Sequence, residues 1–133
     1  MTIQYTFQTK RLTEENLQQL FASVEWESAN YPERLYHAML NSHSVITAWD
    51  KDRLVGLANA LSDDVMTVYF HYVLTDPEYQ GQGIGRRMMQ QILAKYETYY
   101  TKVLVAYPKA IPFYARLGFT GESDSLPMYL YKR

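Results

Sequence analysis

No cysteine occurs in the 133 residues, which excludes a disulfide framework, a thiolate metal site and a cysteine nucleophile. Histidine is scarce. His37, His43 and His71 are scattered at no familiar ligand spacing, so no metal site is expected. Long apolar runs are missing as well. Nothing approaches the roughly 20 residues that span a bilayer, and Met1 to Lys10 lacks the apolar stretch of a leader. Nor is there an excess of either charge. Thirteen Lys and Arg against 14 Asp and Glu leave a net −1, with no basic stripe for a nucleic-acid backbone. The expectation is a cytoplasmic, metal-free protein with neither a membrane nor a nucleic acid as partner.

What is present is ordinary in bulk and unusual in one respect. Apolar residues make up 47% and charged residues 20%, and the length suits a single domain over 1–133 with a sizeable core. Thirteen tyrosines, however, are many for this length. Tyrosine joins apolar area to a hydroxyl, and so suits a wet pocket, a polar-edged core or the surface of a homodimer.

The pattern along the chain predicts mixed α/β order. Ile3, Tyr5 and Phe7 alternate with polar residues, the period-two mark of a strand. Thr13 can cap a helix with Leu17, Leu20, Phe21 and Val24 on one side. Residues 25–31 read as a loop, and Pro32 opens a second helix through Leu40. Ser44–Trp49 and Leu54–Leu61 read as a hairpin about the Asp50–Arg53 turn, with aspartates bonding their own backbone. Val65–Leu74 is nearly continuous in β-branched, aromatic and aliphatic residues, which predicts a central strand covered on both faces. Ile84, Met88, Met89, Ile92, Leu93 and Tyr96 mark a third helix. A short strand at Lys102–Ala106 and a helix with Ala110, Phe113, Tyr114 and Leu117, closed by Gly118, come next. Met128–Tyr131 reads as a last strand. The predicted fold class is α/β (α+β mixed), one central layer of strands with helices around it.

Between the central strand and the third helix lies Gln80-Gly81-Gln82-Gly83-Ile84-Gly85, which holds three of the chain's six glycines. Glycine lets the backbone turn tightly and approach a ligand. The helix start that follows offers unpaired N–H groups and the positive end of a dipole. A pyrophosphate is the natural guest, with Arg86 and Arg87 beside it. A P-loop would need Gly-Lys-Ser/Thr where Gly85-Arg86-Arg87 stands. A dinucleotide fingerprint would need its third glycine one residue later and an acid near Lys102.

The run Val73-Leu74-Thr75-Asp76-Pro77-Glu78-Tyr79-Gln80-Gly81-Gln82-Gly83-Ile84-Gly85 resembles the acetyl-CoA-binding motif of the GNAT superfamily of N-acetyltransferases. That motif reads Gln or Arg, two residues, Gly, one residue, Gly or Ala, and Gln80, Gly83 and Gly85 fill it. Phe113-Tyr114-Ala115-Arg116-Leu117-Gly118-Phe119 resembles the family's late F-Y-x-x-L-G-F element. The two motifs follow in order at the family's spacing.

The resemblance implies a single-domain GNAT-like fold with a mixed, mostly antiparallel central sheet flanked by helices. It implies transfer of an acetyl group from acetyl-CoA to a primary amine by direct attack. The backbone of Val73, Leu74 and Thr75 would meet the pantetheine arm. The segment Gln80, Gly81, Gln82, Gly83, Ile84, Gly85 and Arg86 would hold the pyrophosphate. Tyr114 matches the family's tyrosine that protonates the departing thiolate. His71 falls on the same face as Tyr69, Val73 and Thr75 because side chains alternate along a strand, and is the candidate base. Where many relatives carry an asparagine, this chain has Tyr107 before Pro108. The acceptor, a small-molecule amine or an amine of a protein, would lie against Val24–Tyr31, where carboxylates and aromatics mix. The alternative is a non-catalytic acetyl-CoA sensor, which could dispense with Tyr114.

Overall fold

A computed structural model describes residues 2–132. A short strand, β1 (Gln4–Thr6), leads into helix α1 (Glu14–Ser23). The Asn16 N–H donates to the Thr13 hydroxyl at 3.0 Å, and the Thr13 N–H donates back to the Asn16 side chain at 2.9 Å. Such a closed capping box is worth about 1 kcal/mol. It starts the helix where Leu17, Leu20 and Phe21 can all turn inward. Residues 27–30 of the expected loop form one 3₁₀ turn, and Pro32 sits in the first turn of α2 (Pro32–Leu40), which buries Leu35 and Met39.

Next come β2 (Ser44–Asp50) and β3 (Arg53–Ser62), then β4 (Thr67–Thr75). Helix α3 (Ile84–Lys95), strand β5 (Thr101–Leu104) and helix α4 (Ile111–Arg116) follow, and Gly118 takes φ +100 just beyond α4. The sheet runs β1-β2-β3-β4-β5, antiparallel throughout except for the parallel pair β4–β5. Helices α1 and α2 cover one face, where Leu17, Phe21, Leu35 and Met39 meet Leu57 and Leu74. On the other face Met88, Met89 and Ile92 of α3 meet Ile46, Ala58, Val68 and Phe70, with Phe113 and Tyr114 of α4 alongside. The single α/β layer expected from the sequence is therefore present. No helix among the described residues is long and apolar enough to cross a membrane.

Two expectations need correcting. The strands covered on both faces are β2 and β3, whereas β4 begins at Thr67 and leaves Thr67 and His71 exposed. An apolar run marks affinity for a sheet but does not say which place in the sheet the strand takes. Met128–Tyr131 is not a strand. It pairs with no neighbour among the described residues, and Met128 and Leu130 are almost fully exposed. An apolar run makes a strand only where a partner backbone lies alongside.

Candidate active site

The site begins with an irregularity in β4. Ala58 of β3 pairs with Val73, and the next pair is Ala60 with Phe70. Asn59 therefore stands opposite two residues, His71 and Tyr72, which is a β-bulge. The extra residue shifts the alternation of side chains. Val68, Phe70 and then Val73 pack on the α3 side, while Tyr72 and Leu74 pack on the α1–α2 side. Tyr69 and His71 alternate with Val68 and Phe70, and so lie on the α1–α2 side with Tyr72. Thr75 faces α3, since its Oγ1 would lie 3.6 Å from a Cβ added at Gly85. His71 is thus on the opposite face from Val73 and Thr75. Strict alternation failed because a bulge cannot be read from one strand alone.

The parallel pairing of β4 with β5 runs from Thr67–Thr101 to Phe70–Leu104 and ends there. From His71 to Thr75 no strand among the described residues pairs with β4 on that side, so its backbone N–H and C=O groups border a gap in the sheet. β5 correspondingly stops two residues before the expected Ala106.

A clamp holds the segment beyond β4. The Asp76 N–H donates to the Val55 carbonyl at 2.8 Å, and the Asp76 carboxylate accepts from the Glu78 N–H at 2.9 Å. Arg53 donates to Asp76 at 2.9 Å and Glu78 at 2.6 Å, and its guanidinium lies 5.0 Å from the Tyr79 ring centre. Those two carboxylates raise the Arg53 pKa above its ordinary value. The Tyr79 hydroxyl donates to Asp50 at 2.6 Å, a bond that raises the tyrosine's pKa. Asp50 therefore binds Tyr79, just ahead of the glycine segment, instead of its own turn. The sequence did not single out Arg53 or Asp50 for this role, because their partners lie 23 and 29 residues away and leave no local pattern.

The loop itself is open. Gln80 folds back to donate to the Thr75 carbonyl at 3.2 Å. Gly81 and Gly83 take φ +80 and +82, and no protein atom lies within 4 Å of a Cβ built on either. Gly83 is the N-cap of α3, and no side chain among the described residues caps it, so the first-turn amides of Ile84, Gly85 and Arg86 are left for another acceptor. Ile84 is buried and fastens the helix start to the core. Gln82 and Arg86 are exposed, while the Arg87 guanidinium lies 5.9 Å from the Tyr5 ring. Free N–H groups, a positive dipole end and Arg86 form a cradle that fits a pyrophosphate.

Tyr114 and His71 lie on either side of the sheet. Phe113 approaches Gly85, its ring 3.4 Å from where a Cβ would stand. The next residue, Tyr114, is half-buried among Phe113 and Phe119, with ring centres 5.0 and 6.0 Å away. Burial pushes its pKa up to about 12. Among the described residues its hydroxyl has no hydrogen-bond partner. His71 Nδ1 lies 3.0 Å from the Tyr69 hydroxyl, and although the residue stays exposed overall, partial desolvation of its ring lowers the pKa below its ordinary 6.5. Its ring centre is 4.2 Å from that of Tyr72, and Tyr72 meets Trp26 at 5.8 Å and Phe21 at 5.0 Å. Glu25, at φ +61, turns the chain so that Trp26 joins this band. Tyr107, where relatives carry asparagine, is mostly exposed. A cavity of about 430 Å³ lies elsewhere, at the β1 edge between Gln4, Lys10 and Trp49, and holds none of these groups. No three His, Asp or Glu side chains cluster as a metal set among the described residues.

Residues 10–119 match the Acetyltransferase (GNAT) family, and the chain belongs to that family. It is an acetyltransferase, and the fold implies acetyl-CoA as its cosubstrate. Over 97% of this chain and 78% of that protein it is 32% identical to the uncharacterized N-acetyltransferase ycf52 of Porphyra purpurea. A GNAT-family acetyltransferase structure from Streptococcus pneumoniae TIGR4 aligns with a TM-score of 0.83 at 28% identity, covering 99% of this chain and 98% of that one. The chloroplastic serotonin N-acetyltransferase 2 of Oryza sativa subsp. japonica is 30% identical over 83% of this chain and 58% of that protein.

Gly83→Val forces a β-branched residue into a left-handed conformation that costs about 1–2 kcal/mol even for ordinary residues. Calorimetry should show acetyl-CoA affinity reduced roughly tenfold or more in a variant that still folds. Unchanged affinity would remove the loop from the binding site.

Proposed function

We propose that the chain transfers the acetyl group of acetyl-CoA to a primary amine by direct attack, with Tyr114 serving the leaving thiolate and His71 the amine. The observation that carries this reading is the gap between β4 and β5 beyond Phe70 and Leu104. It joins two faces of the sheet that differ in chemistry. On the α3 side are Tyr114 and the uncapped start of α3, and on the α1–α2 side are His71 and the aromatic band. A donor held from one face and an acceptor from the other would meet in the gap.

Acetyl-CoA supplies an acyl group already activated as a thioester. The backbone of Val73, Leu74 and Thr75 would hold its pantetheine arm, and Gln80 through Arg86 its pyrophosphate. With a pKa near 12, the Tyr114 phenol keeps its proton at neutral pH. So weak an acid acts mainly by donating a hydrogen bond to charge growing on sulfur, and completes the transfer late. His71 is suited to the reverse task. Its lowered pKa keeps it neutral at pH 7. With Nδ1–H donating to the Tyr69 hydroxyl, Nε2 retains a lone pair for a proton from the amine, directly or through water.

The aromatic band supports a particular acceptor. Trp26, Tyr72, His71 and Tyr69 succeed one another with ring centres 4.2 to 5.8 Å apart, and Tyr129 and Tyr131 stack on each other at 5.5 Å. These last two lie close enough to Tyr69 to raise its pKa, after the larger effect of burial. Such a surface suits a small amine on an aromatic body, which it would hold by stacking and cation–π contact. Serotonin, in the name of the rice relative, is an amine of this kind.

Three measurements test the reading. CoA release from acetyl-CoA should depend on added amine, and arylalkylamines should give a lower KM than n-alkylamines of equal length. Equal KM values would remove the aromatic acceptor. Tyr114→Phe should cut kcat roughly 10²-fold or more without altering acetyl-CoA affinity, and wild-type turnover would end its proposed role. The kcat of the wild type should fall as pH drops through the lowered His71 pKa, because the proton then occupies Nε2. His71→Gln should abolish that acid limb. A limb that survives the substitution assigns the base to another group.

A further inference from the structure

We propose, resting on the acetyl-transfer reading above, that Asn59 is a positioning residue whose carboxamide holds the β4 bulge and so aims His71 to Thr75 into the cleft. Asn59 is 1% exposed on β3, between Ala58 and Ala60, which face α3. Its side chain therefore enters the apolar layer beneath α1 and α2, beside Leu57 and Leu74. An amide there is costly unless its groups are used. Both ends are. The Tyr72 N–H donates to Oδ1 at 2.7 Å, and Nδ2 donates to the Ser42 hydroxyl at 3.0 Å. That hydroxyl donates in turn to the Ala38 carbonyl of α2 at 2.8 Å. Since a backbone N–H can only donate, the oxygen of Asn59 must face Tyr72.

A bulge leaves the backbone groups of its extra residue without ladder partners. Asn59 supplies the acceptor that the ladder cannot, at the one place where β3 has a single residue against two. The bulge follows directly after Phe70, the last β4 residue paired with β5. The parity change and the opening of the cleft thus share one hinge point. Without Oδ1 the Tyr72 N–H has no acceptor at the point where two residues stand opposite one. A regular ladder would then compete, and a one-residue slip moves every later side chain of β4 to the other face. His71 and Val73–Thr75 would lose their present relation across the sheet, while the glycine loop, anchored by Arg53, Asp76 and Ile84, would stay. The same amide ties the end of α2 to this point, so the wall of the acceptor side is fixed to the strand that borders it.

The test compares wild type with Asn59→Leu by amide NMR during acetyl-CoA titration, together with turnover. In wild type the amides of Val73–Thr75 and of Gly81–Arg86 should both shift. In Asn59→Leu the loop amides should still shift, with affinity within about threefold. The Val73–Thr75 response and the Tyr72 amide position should change, and kcat should fall roughly 10²-fold, as a small misplacement can cause. Asn59→Asp keeps an oxygen toward the Tyr72 N–H and should restore both the amide position and most of kcat. A purely structural role would lower the unfolding midpoint and leave kcat and the Val73–Thr75 response of the folded protein unchanged, which would overturn the proposal. Should Asn59→Leu not fold, Asn59→Ser, too short to reach the Tyr72 amide, gives the same comparison. If wild type shows no shift at either segment, the acetyl-CoA reading falls and the proposal with it. Shifts without release of CoA from any amine would count against the transfer reading alone, and the amide response would still decide the role of Asn59.

Discussion

Every backbone N–H and C=O in a sheet needs a partner, and β4 loses its partners on one side beyond Phe70. The rest of the site depends on that loss. A row of unsatisfied groups bordering solvent is a liability in an ordinary sheet. In the proposed reading it is the surface offered to the extended, amide-bearing arm of acetyl-CoA. β5 leaves the ladder after Leu104, and α3 and α4 pack on one face of the sheet beside that gap. The proposed transfer uses the gap to bring groups on opposite faces together.

Holding such an opening requires stiffness on either side of it. Below the cleft, Asn59 supplies a fixed acceptor at the bulge. Above it, Arg53 and Asp50 reach from the β2–β3 hairpin to Asp76, Glu78 and Tyr79 and hold the entry to the glycine loop. Asp76 is nearly buried, so its pairing with Arg53 is screened less than a surface ion pair; Glu78 is well exposed and adds less. The loop between these supports is left with free amides and open space. Rigid flanks with an unfilled middle are what a phosphate cradle requires, because its donors must be in place before the anion arrives.

Electrostatic environment separates the two candidate proton-handling groups by the same logic. Tyr114 lies among Phe113 and Phe119, and removal of water disfavours its anion. His71 lies against Tyr69 and Tyr72, and the same cause disfavours its cation. Loss of water thus favours the protonated phenol and the neutral imidazole at neutral pH, with no charged contributor to either shift among the described residues.

Much of this was legible in the sequence. The Thr13 cap, the Pro32 start, the hairpin, the apolar stripe of α3 and the glycines of the loop are local signals, each acting over a few residues. Local signals place elements and mark Gln80–Gly85 as a turn into a helix. What they cannot carry is pairing. The bulge needs β3 beside β4, the unpaired tail needs a neighbour that is not there, and the clamp joins residues 23 and 29 positions apart. The sequence by itself therefore determined most of the elements, their order, the family and the place of the glycine loop at the start of α3. Only the tertiary structure decided that His71 lies across the sheet from Val73 and that Asn59 meets the bulge at Tyr72, because side-chain direction after a bulge depends on the strand opposite.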